Sequence, residues 1–299
     1  MTRTENLAKL ACAYSGVVWG LFWIPLRALD GSGITGAWAT VLFYLVPAVL
    51  LLPVAVLRWQ AIVAGGGGLQ LTALVTAVAL VLYADAVIYT EVIRAMLLYY
   101  LTPVWGFLLA WLVLKEPITA ERWLAIALGL SGMLVIFGID VGIPRPRNVG
   151  DWMGLAGGFF WAVAAVRIRG DTKNRAVEYT TVYFIMGAPV AVLVALLPLT
   201  GAHDLPDAAT TVGVLPWLVP VLLVIVVPGS FAAMWGAFHL NPGIVGLLFM
   251  TEISVGTATA AIWAGEPFGL REIIGIVLIT SAGLAESVPD LRAWWRAGR

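Results

Sequence analysis

The chain has 299 residues, of which 61% are hydrophobic and 11% charged, with 14 tryptophans and a mean hydropathy of +0.97. A soluble domain carries about a quarter charged residues, so this composition excludes one and places the chain in a bilayer. The formal net charge is zero, which argues against nucleic acid. The single cysteine, Cys12, excludes an intramolecular disulfide and leaves a metal site without its usual soft ligands.

A membrane-spanning helix needs about 20 mostly apolar residues. Reading apolar runs between charges and turn residues predicts ten spans: 8–28, 37–57, 70–89, 93–113, 120–139, 151–168, 179–199, 213–235, 243–263 and 270–288. The first is expected to be retained, because the small-residue triplet Ala11–Ala13 precedes its main apolar stretch instead of following it. Trp19 falls near its midpoint. The third carries Tyr83 and an ionisable Asp85 in its outer half. The fourth carries Tyr99, Tyr100, Thr102 and Pro103. Pro103 frees the carbonyl four residues back, that of Tyr99. Such a carbonyl is tolerated in a membrane only where something satisfies it, for example a water-filled cavity, so this turn is expected to border a pathway. The sixth span holds Trp161 near its middle. His239 precedes "NPG" (241–243), where Asn241 reads as a cap and Pro242 as the first helical turn, making His239 a gate candidate at the cytoplasmic end of the eighth span. Glu252 lies near the middle of the ninth. Arg27 and Arg94 lie near outer helix ends, where snorkelling accounts for them.

With both termini cytoplasmic, twelve of the 17 Lys and Arg residues fall on the inner side and five on the outer. That orientation follows the positive-inside rule, and the tail "RAWWR" (292–296) reads as an interfacial anchor.

The halves echo each other. A shift of 150 places Gly106 on Gly256, Ala110 on Ala260, and Glu116-Pro117 on Glu266-Pro267. A shift of 142 places Gly16 on Gly158, Trp19 on Trp161, Arg27 on Arg169 and Pro47 on Pro189. Residues 1–145 and 146–299 therefore read as two five-helix repeats, joined by "IPRPR" (143–147). Five is odd, so the second repeat crosses the membrane inverted, an architecture of secondary transporters whose site lies between the halves. The paired Gly-xxx-Gly and Gly-xxx-Ala faces permit close helix approach. Each Glu-Pro ends one span and sets a carboxylate ahead of the next helix, where the dipole favours it; Glu116 and Glu266 are read as structural connectors.

The stretches "VVWGLFWIPLR" (17–27), "YLTPVWGFLLAWLVLKEPIT" (100–119) and "FMTEISVGTATAAIWAGEPFG" (249–269) resemble the drug/metabolite transporter superfamily over nearly the whole chain. Within it the chain looks most like the YddG-type aromatic amino-acid exporters of bacterial inner membranes. The resemblance implies a cavity lined by helices 1, 3, 4, 6, 8 and 9. One departure stands out: where many members carry Glu-Pro in helix 9, this chain has Glu252-Ile253.

Candidate substrate-binding residues are Trp19, Tyr83, Tyr99, Tyr100, Thr102, Trp161 and Glu252. Aromatic faces can sandwich a flat side chain, and an intramembrane carboxylate can contact an ammonium or take a proton. Static packing is the structural alternative for each aromatic, and a helix-tying hydrogen bond for Glu252. The expected activity is export of amino acids, aromatic and other neutral ones, by alternating access, in a monomer or weak oligomer surrounded by lipid. A drug or sugar exporter is the alternative. No Walker-type loop is present, so no nucleotide or other cofactor is expected. His203 and His239 form no H-E-x-x-H pair, which argues against an intramembrane enzyme, and no carbonyl filter or charged ring suggests a channel.

Overall fold

The computed structural model describes residues 3–90, 92–116, 119–137, 146–197, 204–263 and 268–285, and every regular element among them is helical. Lipid offers no partner to backbone N–H and C=O groups, so a spanning segment must satisfy them within itself. In the first half these elements are α1 (Arg3–Gly20), α2 (Trp23–Gly31), α3 (Ala37–Leu50), α4 (Leu52–Leu57), α5 (Trp59–Ala64), α6 (Gly66–Tyr89), α7 (Val92–Tyr99), α8 (Thr102–Leu109) and α9 (Ala120–Phe137). In the second half they are α10 (Val149–Arg169), α11 (Ala176–Leu196), α12 (Ala208–Val221), α13 (Val227–His239), α14 (Pro242–Phe249), α15 (Thr251–Trp263) and α16 (Leu270–Ala285). Two π-helical turns, Ala110–Leu114 and Leu222–Val226, extend α8 and join α12 to α13.

Among the described residues, six helical stretches are long and apolar enough to cross a membrane: Arg3–Gly31, Gly66–Tyr89, Val149–Arg169, Ala176–Leu196, Ala208–His239 and Pro242–Trp263. Ala37–Leu50 and Thr102–Leu114 are shorter apolar helices. Ten spans were expected. The other four fall on helices of 18 residues or fewer, namely α3–α4, α7–α8, α9 and α16. The second is broken at Leu51, just before Pro53, and the fourth at Tyr100–Leu101, just before Pro103.

The interruptions recur in register. α7 gives way to α8 at Tyr100–Leu101, and α14 to α15 at Met250, where Met250 and Ile253 are held by tight turns to Leu247 O and Met250 O at 3.1 and 3.0 Å. Helix 9 is thus broken without the proline that residue 253 lacks.

The strongest pairings are α6 with α10, α9 with α16, α3 with α11, α1 with α13 and α6 with α11, followed by α7 with α10 and α8 with α14. Small residues set several of these distances. A Cβ on Gly158 of α10 would lie 2.2 Å from Tyr99 O, and one on Gly106 would lie 3.0 Å from the backbone at Pro242–Gly243. Outward faces carry Val56, Leu57, Val224, Ile262 and Leu270 exposed, an apolar surface that suits lipid. Ala208–His239 combines the highest hydropathy with the lowest burial, 22%, and so lies at the edge of the bundle.

Charged groups tie the helix ends. Arg58 pairs with Glu178 of α11. Arg94 of α7 was expected to snorkel freely; instead it pairs with the buried carboxylate of Asp151 on α10, which also accepts from Thr90 Oγ1 at 2.8 Å and Arg147 N at 2.9 Å. Pro117, Glu266, Pro267, His203, the link up to residue 145 and the "RAWWR" tail lie outside the described residues.

Candidate functional site

The break in each helix turns side chains inward at one level. Glu252 follows the Met250 turn by two residues and is 2% exposed. Its carboxylate accepts a hydrogen bond from the Tyr83 hydroxyl on α6 and lies 2.5 Å from the Tyr100 hydroxyl. Tyr100 Oη is also 2.9 Å from Phe249 O, so its single proton has two competing acceptors. A buried carboxyl demands such donors.

Around it lies an enclosed cavity lined by Trp19, Leu80, Tyr83, Tyr99, Trp161, Tyr183, Ser230, Ala233, Met234, Phe249 and Glu252. Tyr83 and Tyr99 stack with centroids 3.9 Å apart, and Trp161 stacks on Phe249 at 5.6 Å. The hydroxyls of Tyr183 and Ser230 and the indole N–H of Trp161 are buried without a hydrogen-bond partner. The space left for the centre of a water-sized sphere is about 10 Å³, roughly one water. The walls are closed on one another, and an organic solute enters only if the helices part.

Of the residues predicted from sequence, Trp19, Tyr83, Tyr99, Trp161 and Glu252 meet in this cavity. Tyr100 reaches Glu252 from behind the lining. Thr102 stands back from it and corrects one expectation: its hydroxyl donates to Tyr99 O at 2.6 Å, with Gly158 O at 3.2 Å. The carbonyl freed by Pro103 is therefore satisfied by a neighbouring hydroxyl, not by cavity water. His239 ends α13 away from the cavity, its Nδ1 donating to Trp235 O at 2.8 Å. Next to it, Asn241 caps α14 by accepting from Gly243 N at 2.9 Å.

Comparison with known proteins identifies the matched half. Residues 6–138 carry the signature of the EamA-like transporter family. The match covers less than half of the chain, and the family is a branch of the drug/metabolite transporter superfamily that the sequence resembles. A crystal structure of another protein shares the fold, with a TM-score of 0.68, 17% identity, and coverage of 96% of this chain and 98% of that one. No curated protein matches the chain.

In this bundle the lining residues that sequence reasoning missed are Leu80, Tyr183, Ser230, Ala233, Met234 and Phe249. They lie on α6, α11, α13 and α14. Only Tyr183 and Ser230 carried a signal, as polar side chains within apolar runs.

Proposed function

We propose that the protein exports amino acids, aromatic and other neutral ones, across the bacterial inner membrane by alternating access between two inverted five-helix halves, 1–145 and 146–299, with both termini cytoplasmic. The observation that carries this reading is the buried Glu252 carboxylate, gripped by two tyrosine hydroxyls inside an aromatic cavity. A substrate ammonium would take the place of a tyrosine proton at the carboxylate. A flat side chain would slide between the Trp161–Phe249 and Tyr83–Tyr99 pairs, gaining about 0.5–1.5 kcal/mol per stack beyond its burial.

The inverted arrangement draws support from the packing. If the halves exchange by a two-fold axis, helix 1 exchanges with 6 and helix 3 with 8. The pair formed by α1 and α13 then has a mate, formed by α10 and α6, and both are among the strongest. Helices 2 and 7, 4 and 9, and 5 and 10 pair with their own counterparts. Trp19 and Trp161, matched by the repeat, face the same cavity.

Counterflow tests the reading. Purified protein in liposomes preloaded with phenylalanine, tryptophan or threonine is expected to take up the labelled amino acid saturably. Glu252→Gln removes a charge-assisted contact of about 1.5–3 kcal/mol, so apparent affinity should fall about ten- to hundred-fold. Wild-type affinity in that variant, or no exchange of any amino acid by folded protein, would overturn the assignment.

A further inference from the structure

A second carboxyl lies in the bundle, and the substrate site does not use it. Asp85 of α6 is 0% exposed, and neither of its oxygens has a hydrogen-bond partner. Residues two apart on a helix differ by about 200°, so Asp85 points away from Tyr83 and Glu252, toward α3. There it faces the hydroxyl of Thr40, and Tyr44 is within electrostatic reach of both Asp85 and Tyr183 of α11. The hydroxyls of Thr40, Tyr44, Tyr183 and Ser230 are all buried and all unpartnered. Tyr183 and Ser230 line the central cavity. These orphan polar groups sit on neighbouring helices, α6, α3, α11 and α13, the last two of which reach the cavity.

Orphan groups of this kind are rare in folded proteins and need a reason. An isolated ionised carboxylate is far too costly in such surroundings, so Asp85 is neutral here and carries a proton. Among the described residues no ion pair to it is found. Arg94 of α7 and Asp151 of α10 engage each other, Arg167 of α10 donates to Thr72 at 2.9 Å, and Arg27 of α2 lies over Trp23. Asp30 of α2 accepts from Gly36 N, and Tyr179 of α11 donates to Asp171. Tyr44, Tyr99 and Tyr183 are the titratable neighbours that remain, and Glu252 faces the opposite side of α6.

We propose that Asp85 is a proton-binding site that couples transport to proton movement, exchanging its proton with the cavity through Tyr44 and Tyr183 when the cavity opens and fills with water. The coupling rests on the exporter reading; the proton site itself does not. On opening, water would enter between the orphan hydroxyls and solvate the carboxylate, the proton leaving to that water. On closing, the carboxylate must recover a proton before it is sealed in. One proton moves per cycle, with no redox change.

Two measurements separate the ideas. Infrared difference spectra of the purified protein titrated with pH should show a protonated-carboxyl band that Asp85→Asn removes and Asp85→Glu restores at a shifted position. Identical spectra in wild type and Asp85→Asn would overturn the proton site. In liposomes holding a pH-sensitive dye, an imposed phenylalanine gradient should move protons in wild type. Asp85→Asn should keep counterflow but lose the dye response about ten-fold or more. A flat dye trace alongside active counterflow in wild type would overturn the coupling and leave the exporter reading standing. A titrating Asp85 band without counterflow would retain the site and remove the amino-acid assignment.

Discussion

Glu252 is held by two donors from different helices, and the loss of either leaves a buried acceptor short. Tyr83→Phe and Tyr100→Phe should each lower stability by about 1–3 kcal/mol. Both hydroxyls serve one carboxylate, so the double variant should depart from additivity by about 0.5–3 kcal/mol. Denaturant unfolding in detergent measures the cycle, and additive losses would mean that the carboxylate is not shared. A different carboxylate contributes to the acid limb of stability. Asp171, in the turn between α10 and α11, feels burial most, which raises its pKa. Hydrogen bonds from Asn174 and Tyr179 side chains and from Lys173 and Asn174 N–H groups outweigh it and bring the value below the ordinary 3.8. A lowered folded value means stability present above pH 3.8 and lost as pH falls through the folded value. Asp171→Asn should therefore lose less stability than wild type when unfolding is followed down through that interval; equal losses would remove Asp171 as the cause.

At the scale of elements, glycine positions separate close helix contact from open surface. Gly158→Ala would drive a methyl into the Tyr99 carbonyl at 2.2 Å, backbone that cannot swing aside. It should cost about 1–3 kcal/mol by overpacking. Gly67→Ala in the first turn of α6 meets nothing within 4 Å and should be neutral or stabilising by about 0.5–1 kcal/mol. Melting of detergent-solubilised variants reads both, and equal melting points would mean that the α7–α10 contact is slack. Much of this was legible in the sequence, because span length, the Trp19–Trp161 echo and a lone carboxyl in an apolar run are local signals. The rest was set by what packs against what. Phe249 and Met234 look like any lipid-facing residue until α13 and α14 are docked. Arg94 reads as a snorkelling cation until Asp151, 57 positions on, is brought beside it. The Met250 break escaped notice because no proline marks it.

For the whole molecule, a carrier that alternates must seal one end of its cavity at a time, and on the proposed mechanism the contacts of Glu116 are the candidate for one such seal. Glu116 follows the π-helical turn that ends the α8 span, and its carboxylate accepts from Asn241 Nδ2 at 2.5 Å and from Arg169 Nε at 3.3 Å. Arg169 also donates to Phe238 O at 3.1 Å. One carboxylate thus binds the ends of α10 and α13 and the cap of α14 together, a larger role than the connector its Glu-Pro setting suggested. Removing a charged hydrogen-bonding partner releases about 1.5–3 kcal/mol, enough to shift a two-state balance about ten-fold or more. Cys12 is the sole native thiol and is buried, so Ser230→Cys in a Cys12→Ala background reports on the cavity alone. Adding Glu116→Ala should speed labelling by a membrane-impermeant maleimide from the Glu116 side about ten-fold and slow it from the opposite side. Faster labelling from both sides would mean a loosened bundle, and no change from either would mean that the seal lies elsewhere. Only a two-state carrier trades one side against the other, so the sign of the second rate decides between a gate and mere damage.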